Sequence, residues 1–325
     1  MDCLASWHPA STLTRLAKTL FLFTFTDFKT ILFPVSVFAA VTAPLSSFSS
    51  GLTAVIWIWV HLLQCNVSNQ CHTIVEDRIN HPWRPIAAGL ISQQTTRIFR
   101  WTLAVSCICF SYIFGKVTAL SMASIAMTAT MILYDDLNFA GHWVTKNLCA
   151  VSGYLCFEVG AVMIMGKSHK LDAIATKALF SSALVILSTI HVQDFPDVEG
   201  DRALKRKTFP IIAPVLSRVL TTTLILFLTA HNAYIWGIGL YHSVAFYCLG
   251  LLVAWRIYFL RGTQEDRKTY IMYNASQPHL PQNVSLIDSI IGLANGTPPP
   301  TRQRPLEYLR QMKKPLPFSG PISGA

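Results

Sequence analysis

Charge is scarce in this chain. Charged residues fill 13% of its 325 positions, about half of the ~25% usual in soluble domains. With 52% hydrophobic residues, that shortfall excludes a soluble globular domain and points to a membrane protein. Lys and Arg number 26 against 16 Asp and Glu, a formal net charge of +10. The basic residues lie between apolar runs and not in one block, which excludes nucleic acid as a partner and fits loops that orient helices in a bilayer. The eight cysteines form no CxxC pair and lie mostly in apolar runs. That excludes a zinc or disulfide framework and leaves them as small buried hydrophobes. No small-residue cleavage site follows Arg15 and Lys18, so the start of the chain reads as a cytosolic segment entering an anchor.

What is present is a series of long apolar runs. A span needs about 20 apolar residues. Candidates fall at 28–46, 51–68, 98–115, 117–134, 145–165, 173–192, 210–230 and 233–258. The expected fold is therefore all-α, a transmembrane helical bundle of about eight spans. The apolar stretch Leu20 to Thr26 reads as an interfacial prelude to the first span. Loops after spans two, four, six and eight carry most of the positive charge, from Arg78 and Arg84 to Arg267 and Lys268. The opposite side holds mainly Lys116, Lys167, Lys170 and Lys177. This asymmetry puts the first set on the cytosolic side. The span-bearing domain covers 1–273, and 274–325 is rich in Pro, Gly and polar residues. That tail is expected to be a disordered or divergent cytosolic segment.

Two acidic clusters close spans two and six. The first runs from Asn69 through Thr73, Glu76 and Asp77 to His81, Pro82, Arg84 and Pro85. The second holds Asp194, Asp197 and Asp201, followed by Lys205 and Arg206. In each, three- and four-residue spacing places the oxygen-bearing residues on one helical face. Carboxylates beside a span are costly and need a reason. Asn69, Asp77, Asp194, Asp197 and Asp201 offer hard oxygen ligands suited to Mg²⁺, and Mg²⁺ holds phosphates. Arg84, Lys205 and Arg206 supply phosphate-binding cations, Arg by bidentate contact. The rival readings are a solvated acidic loop for the second cluster, helix capping for the first, and topology alone for each cation. The combination implies an enzyme acting on a lipid-soluble diphosphate.

Other residues carry open readings. Lys146 and Asn147 begin the fifth span and either reach the headgroup site or, for Lys146, snorkel. Glu158 lies inside that span as a functional acid or an interhelical hydrogen-bond partner. His191 and Gln193 contact an acceptor or finish a helix. Trp57, Trp59, Tyr154 and Phe157 line an isoprenoid channel or simply pack.

These clusters resemble the motifs of the UbiA superfamily of intramembrane prenyltransferases. The second motif, Asp-x-x-Asp-x-x-x-Asp, is matched in full at Asp194, Asp197 and Asp201. The first, Asn-Asp-x-x-Asp-x-x-x-Asp with a following Lys-Pro-x-Arg-Pro, is matched at Asn69, Asp77, Pro82, Arg84 and Pro85. It departs at Gln70, Thr73 and His81. The resemblance covers about 18–273 and is nearest to the fungal secondary-metabolism branch. It implies a nine-span bundle around a cavity, with Mg²⁺ bridging the motifs and a prenyl diphosphate. No convincing ninth span is visible in this chain. By that resemblance the catalytic and metal-binding residues are Asn69, Asp77, Asp194, Asp197 and Asp201, with substrate held by Arg84, Lys146, Asn147, Lys205 and Arg206. The expected reaction moves a prenyl group to a small aromatic (phenolic) acceptor in meroterpenoid synthesis. The alternative is a membrane terpene cyclase, and a transporter stands third. The expected site is the endoplasmic reticulum or another endomembrane, with the mouth facing the cytosol.

Overall fold

A computed structural model describes residues 9–43, 45–115 and 118–276. Their regular structure is all helical, with no strand among the described residues. The helices are α1 (Pro9–Thr24), α2 (Phe33–Thr42), α3 (Phe48–His72), α4 (Ile74–Asn80), α5 (Gln93–Gly115), α6 (Thr118–Met131) and α7 (Trp143–Met165). They continue as α8 (Ala173–Thr189), α9 (Val198–Ala203), α10 (Phe209–Ile212), α11 (Pro214–Ile235), α12 (Leu240–Phe259) and α13 (Thr263–Ser276).

Each expected span overlaps a helix, although the 233–258 window is interrupted between α11 and α12. Six helical segments are long and apolar enough to cross a bilayer: Leu13–Thr42, Phe48–His72, Trp143–Met165, Ala173–Asp194, Pro214–Ile235 and Leu240–Phe259. The protein is an integral membrane bundle. The stretch Leu20 to Thr26 differs from the expectation. It belongs to one helical run, Leu13–Thr42, and not to a separate prelude. The run continues through a 3-10 turn and a π turn at Phe25–Leu32, which carry Asp27 and Lys29. The expected tail falls almost wholly at 277–325, outside the described residues.

Local chemistry sets the helix ends. Ser47 and Ser50 form a reciprocal capping box at the start of α3, satisfying two orphan N–H groups. Asp172 accepts from Ala175 N and caps α8. Pro214 opens α11 where a missing N–H costs nothing.

The core lies among α2, α3, α6, α7 and α8, around Trp57, Phe38, Met127 and Phe157. Trp57 and Phe157 pack there, and the Trp57 ring N–H donates to Ser111 at 2.9 Å. Tyr154 donates to the Thr30 carbonyl at 3.2 Å, and Trp59 to Thr24 at 3.2 Å. Glu158 accepts from Ser182 at 2.5 Å, joining α7 to α8. His191 bonds Thr221 and lies edge-on to Phe209. In each case the described contacts are packing or interhelical bonds. A second core, around Val253 and Ile257, is closed by Tyr273 of α13.

Candidate active site

Both acidic clusters sit where a long helix breaks. Between α3 and α4 the chain leaves helical geometry at Thr73, with φ −108° and ψ 21°. Its hydroxyl bonds the Asn69 carbonyl at 3.0 Å. After α8 a 3-10 turn, Ile190–Asp194, leads into Phe195 and Pro196, and the chain re-enters a helix at Val198. The chain leaves helical geometry at Thr189, with φ −132° and ψ −5°, and Pro196 has no N–H to continue the ladder. The expected single helical faces are thus each split in two. The breaks turn α4 and α9 toward one another, and these short helices pack together.

Gly200 permits that approach. A Cβ there would stand 2.6 Å from Glu76 Cγ and also run into the Asn80 amide. Asn80 reaches the Asp197 carbonyl at 3.5 Å. One guanidinium ties the seam: Arg206 Nη1 lies 2.7 Å from Glu76 Oε2 and 3.0 Å from Asp201 Oδ1. From the start of α7, Lys146 Nζ approaches Asp194 at 2.6 Å and Asp201 at 3.5 Å. Two backbone bonds, Trp143 N to Lys207 O and Lys207 N to Gly141 O, hold the start of α7 beside the second cluster. Asp77 is fully buried and faces Arg84 at 2.6 Å. It also accepts from Thr73 at 3.2 Å.

The cluster thus gathers the carboxylates of Glu76, Asp77, Asp194, Asp197 and Asp201 around the cations of Arg84, Lys146 and Arg206. Burial raises the Glu76 and Asp77 carboxyls, opposed by Arg206 and Arg84 respectively. Burial, then the nearby Glu76, lifts Asp197 to about 7. Burial also pushes His81 down to about 3, helped by Arg84. The 3.7 Å approach of His81 to Asp197 is therefore not an ion pair near neutrality. Burial works against the Arg206 charge, but Tyr134, Glu76 and Asp201 hold it protonated.

Several polar atoms remain unbonded in this cluster. Asp194 Oδ2 and Asn147 Oδ1 are buried without a hydrogen bond, and Asp194 Oδ1 and Asp201 Oδ2 face only the Lys146 ammonium. Hard oxygens short of donors suit a hard cation. Among the described residues, no three His, Cys, Asp or Glu side chains enclose an ion by themselves. Mg²⁺ keeps waters and usually takes only one or two protein carboxylates beside substrate phosphates.

Two predicted residues stay outside the ion-pair network among the described residues. Lys205 is exposed, at φ 55°, and among the described residues it makes no ion pair. Asn69 points its amide toward Asp135 at 3.4 Å. Three carboxylates were not assigned from sequence. Glu76 lies within the first cluster, off the face that the four-residue spacing marks. Asp135 and Asp136 end the α6 run just as the recognised clusters end theirs, and that was the signal available. Asp136 pairs with Arg100 and stands 3.5 Å from His72.

Fold and site define an intramembrane enzyme class whose acidic mouth is laced with cations. The chain belongs to the UbiA prenyltransferase family, whose model matches residues 31–276. It is 28% identical over 264 residues to the diterpene cyclase eriG of Hericium erinaceus, covering 78% of this chain and 83% of the relative. It is 26% identical over 266 residues to the polyprenyl transferase eriF of the same organism, covering 78% and 88%. Its fold matches a UbiA homolog from Archaeoglobus fulgidus bound to DMAPP and Mg²⁺, with TM-score 0.64 and 12% identity. That match covers 85% of this chain and 99% of the other.

Proposed function

We propose that this protein ionises an allylic prenyl diphosphate at the mouth formed by α4, α9 and the start of α7. The observation that carries this reading is the meeting of Glu76 and Asp201 on one Arg206 nitrogen, which joins two motifs distant in sequence. Arg84, Arg206 and Lys146 bind diphosphate oxygens, and Asn147 adds a polar contact beside Lys146. Asp194, Asp197, Asp201, Asp77 and Asn69 hold Mg²⁺. When bound, Mg²⁺ supplies positive charge that stabilises the departing diphosphate. The guanidinium and ammonium groups do the same from fixed positions, in a setting of low dielectric. Arg is suited to this task because it stays charged when buried. The apolar helices beneath the mouth keep water from the allylic cation. The likeness of the Archaeoglobus protein, solved with DMAPP and Mg²⁺, supports the ligand pair.

The cation then closes a ring on a double bond of its own chain, and a lost proton ends the reaction. The likeness to eriG favours this fate over the phenol transfer expected from the motifs. Transfer to a phenolic acceptor is the second reading, favoured by the likeness to eriF. The positive charge on the loops after the even-numbered expected spans supports a mouth facing the cytosol; the membrane proposed is the endoplasmic reticulum or another endomembrane.

The test uses membranes carrying the full chain, Mg²⁺, and farnesyl or geranylgeranyl diphosphate, with and without a phenol. A cyclic hydrocarbon formed without phenol is expected. A prenylated phenol as the sole product replaces ring closure by transfer. Failure to release pyrophosphate from either donor sinks the ionisation reading itself.

A further inference from the structure

We infer that Asp135 is a positioning residue that fixes which end of the Asn69 amide serves the metal, an inference that rests on the function proposed above. The α6 run ends in a π turn, Ile132–Asp136. Such turns re-aim side chains and gather at functional sites. Here the turn splits two adjacent carboxylates. Asp136 faces outward to Arg100, whose Nη1 stands 3.0 Å from Asp136 Oδ1. Asp135 faces α3, where Oδ2 accepts from the Ser68 hydroxyl and Oδ1 stands 3.4 Å from Asn69 Nδ2. Ser68 and Asn69 are consecutive residues in the last turns of α3, so one carboxylate grips both.

An amide side chain has a donor end and an acceptor end. An ionised carboxylate only accepts. Facing Asp135, Asn69 must offer its NH₂, and its carbonyl oxygen is left as the opposite end. That oxygen is the atom a hard cation takes. Arg100, which fixes Asp136, anchors the turn that carries Asp135. Outer partners that orient a metal ligand typically account for about ten- to hundred-fold in metal affinity. Asp135 plays that part through Asn69 without touching the substrate.

The test is a charge swap read by metal binding and not by turnover. Mn²⁺ uptake with inorganic pyrophosphate is measured by electron paramagnetic resonance on the purified full chain. Asp135→Asn frees the amide to turn, and affinity is expected to fall about ten-fold. Asn69→Asp sets two carboxylates face to face, and affinity is expected to fall as well. The double variant restores one donor and one carboxylate in exchanged places, and it is expected to return to within about two-fold of the parent. Asp135→Asn at parental affinity overturns the inference. So does a double variant that folds but stays as weak as the single ones, which also decides the matter if Asp135→Asn alone does not fold. A parent protein that takes up no Mn²⁺ with pyrophosphate sinks the functional reading, and this inference with it.

Discussion

Glu76 Oε2 and Arg206 Nη1 meet at 2.7 Å although 130 residues separate them in the chain. Because the same nitrogen also reaches Asp201, Arg206 is the electrostatic rivet between the two halves of the mouth. Removing one partner of a buried pair leaves the other charge stranded, at a cost of about 3–5 kcal/mol. Arg206→Ala strands two carboxylates at once and is expected to lie near the upper end. Arg206→Lys retains a point charge and should lose less. Thermal unfolding in detergent at neutral pH, without divalent cation, ranks the two.

Gly200→Ala is expected to separate the motifs without touching any charge. The added Cβ would meet Glu76 and Asn80, and overpacking of this kind costs about 1–3 kcal/mol. Loss of donor ionisation should far exceed the loss of stability, because α9 must move away from α4. Pyrophosphate release, measured beside the melting temperature, checks this. Full activity in Gly200→Ala would mean that the close approach of the two helices is not needed.

Asp197 gives a pH signature. Burial first, then Glu76, lifts its carboxyl to about 7 in the folded protein, against an unfolded value near 3.9. The folded state therefore holds the proton more tightly than the unfolded state. Its stability contribution is complete below about pH 4 and is lost as pH rises toward 7. Asp197→Asn removes that loss. Without divalent cations the variant should melt above the parent at pH 8, and the gap should close at pH 4. A gap that widens on acidification would show that the Asp197 carboxyl is not raised.

Much of this carboxylate and cation cluster was legible in the sequence, and what was not has a common cause. Carboxylates at the ends of apolar runs mark the mouth whatever the local geometry, so Asp194, Asp201 and Asp77 stand out at once. Helical spacing then assumes an unbroken helix. The two helices break at Thr73 and Thr189, and Glu76 meets Arg206 while Asp77 faces Arg84. Lys205 and Arg206 look equivalent in the sequence. Lys205 takes the left-handed position at the end of α9, and Arg206 N returns to the Asp201 carbonyl at 2.9 Å. That wrap closes the helix in the manner of a C-terminal cap. It sends Arg206 inward and leaves Lys205 in solvent. Asp135 and Asp136 carried the same end-of-span signal, but no second cation or spacing singled them out.

Lys146 and Asp194 should respond to Mg²⁺ in opposite ways. Lys146 Nζ stands 2.6 Å from Asp194 and also near Asp201. Lys146→Met leaves those two buried carboxylates without their ammonium partner, so the variant should be less stable than the parent in chelator. Mg²⁺ with pyrophosphate then has more charge to neutralise, and its stabilising shift should exceed that of the parent. Asp194→Asn relieves the crowding of carboxylates and should melt at or above the parent in chelator. It removes a hard ligand, so its shift with Mg²⁺ should shrink. A ligand at about 100 times its dissociation constant stabilises by about 2.7 kcal/mol, enough to resolve the three proteins by thermal shift. If Mg²⁺ with pyrophosphate moves all three equally, the cation does not bind at Asp194, and the second motif is not where the diphosphate is held.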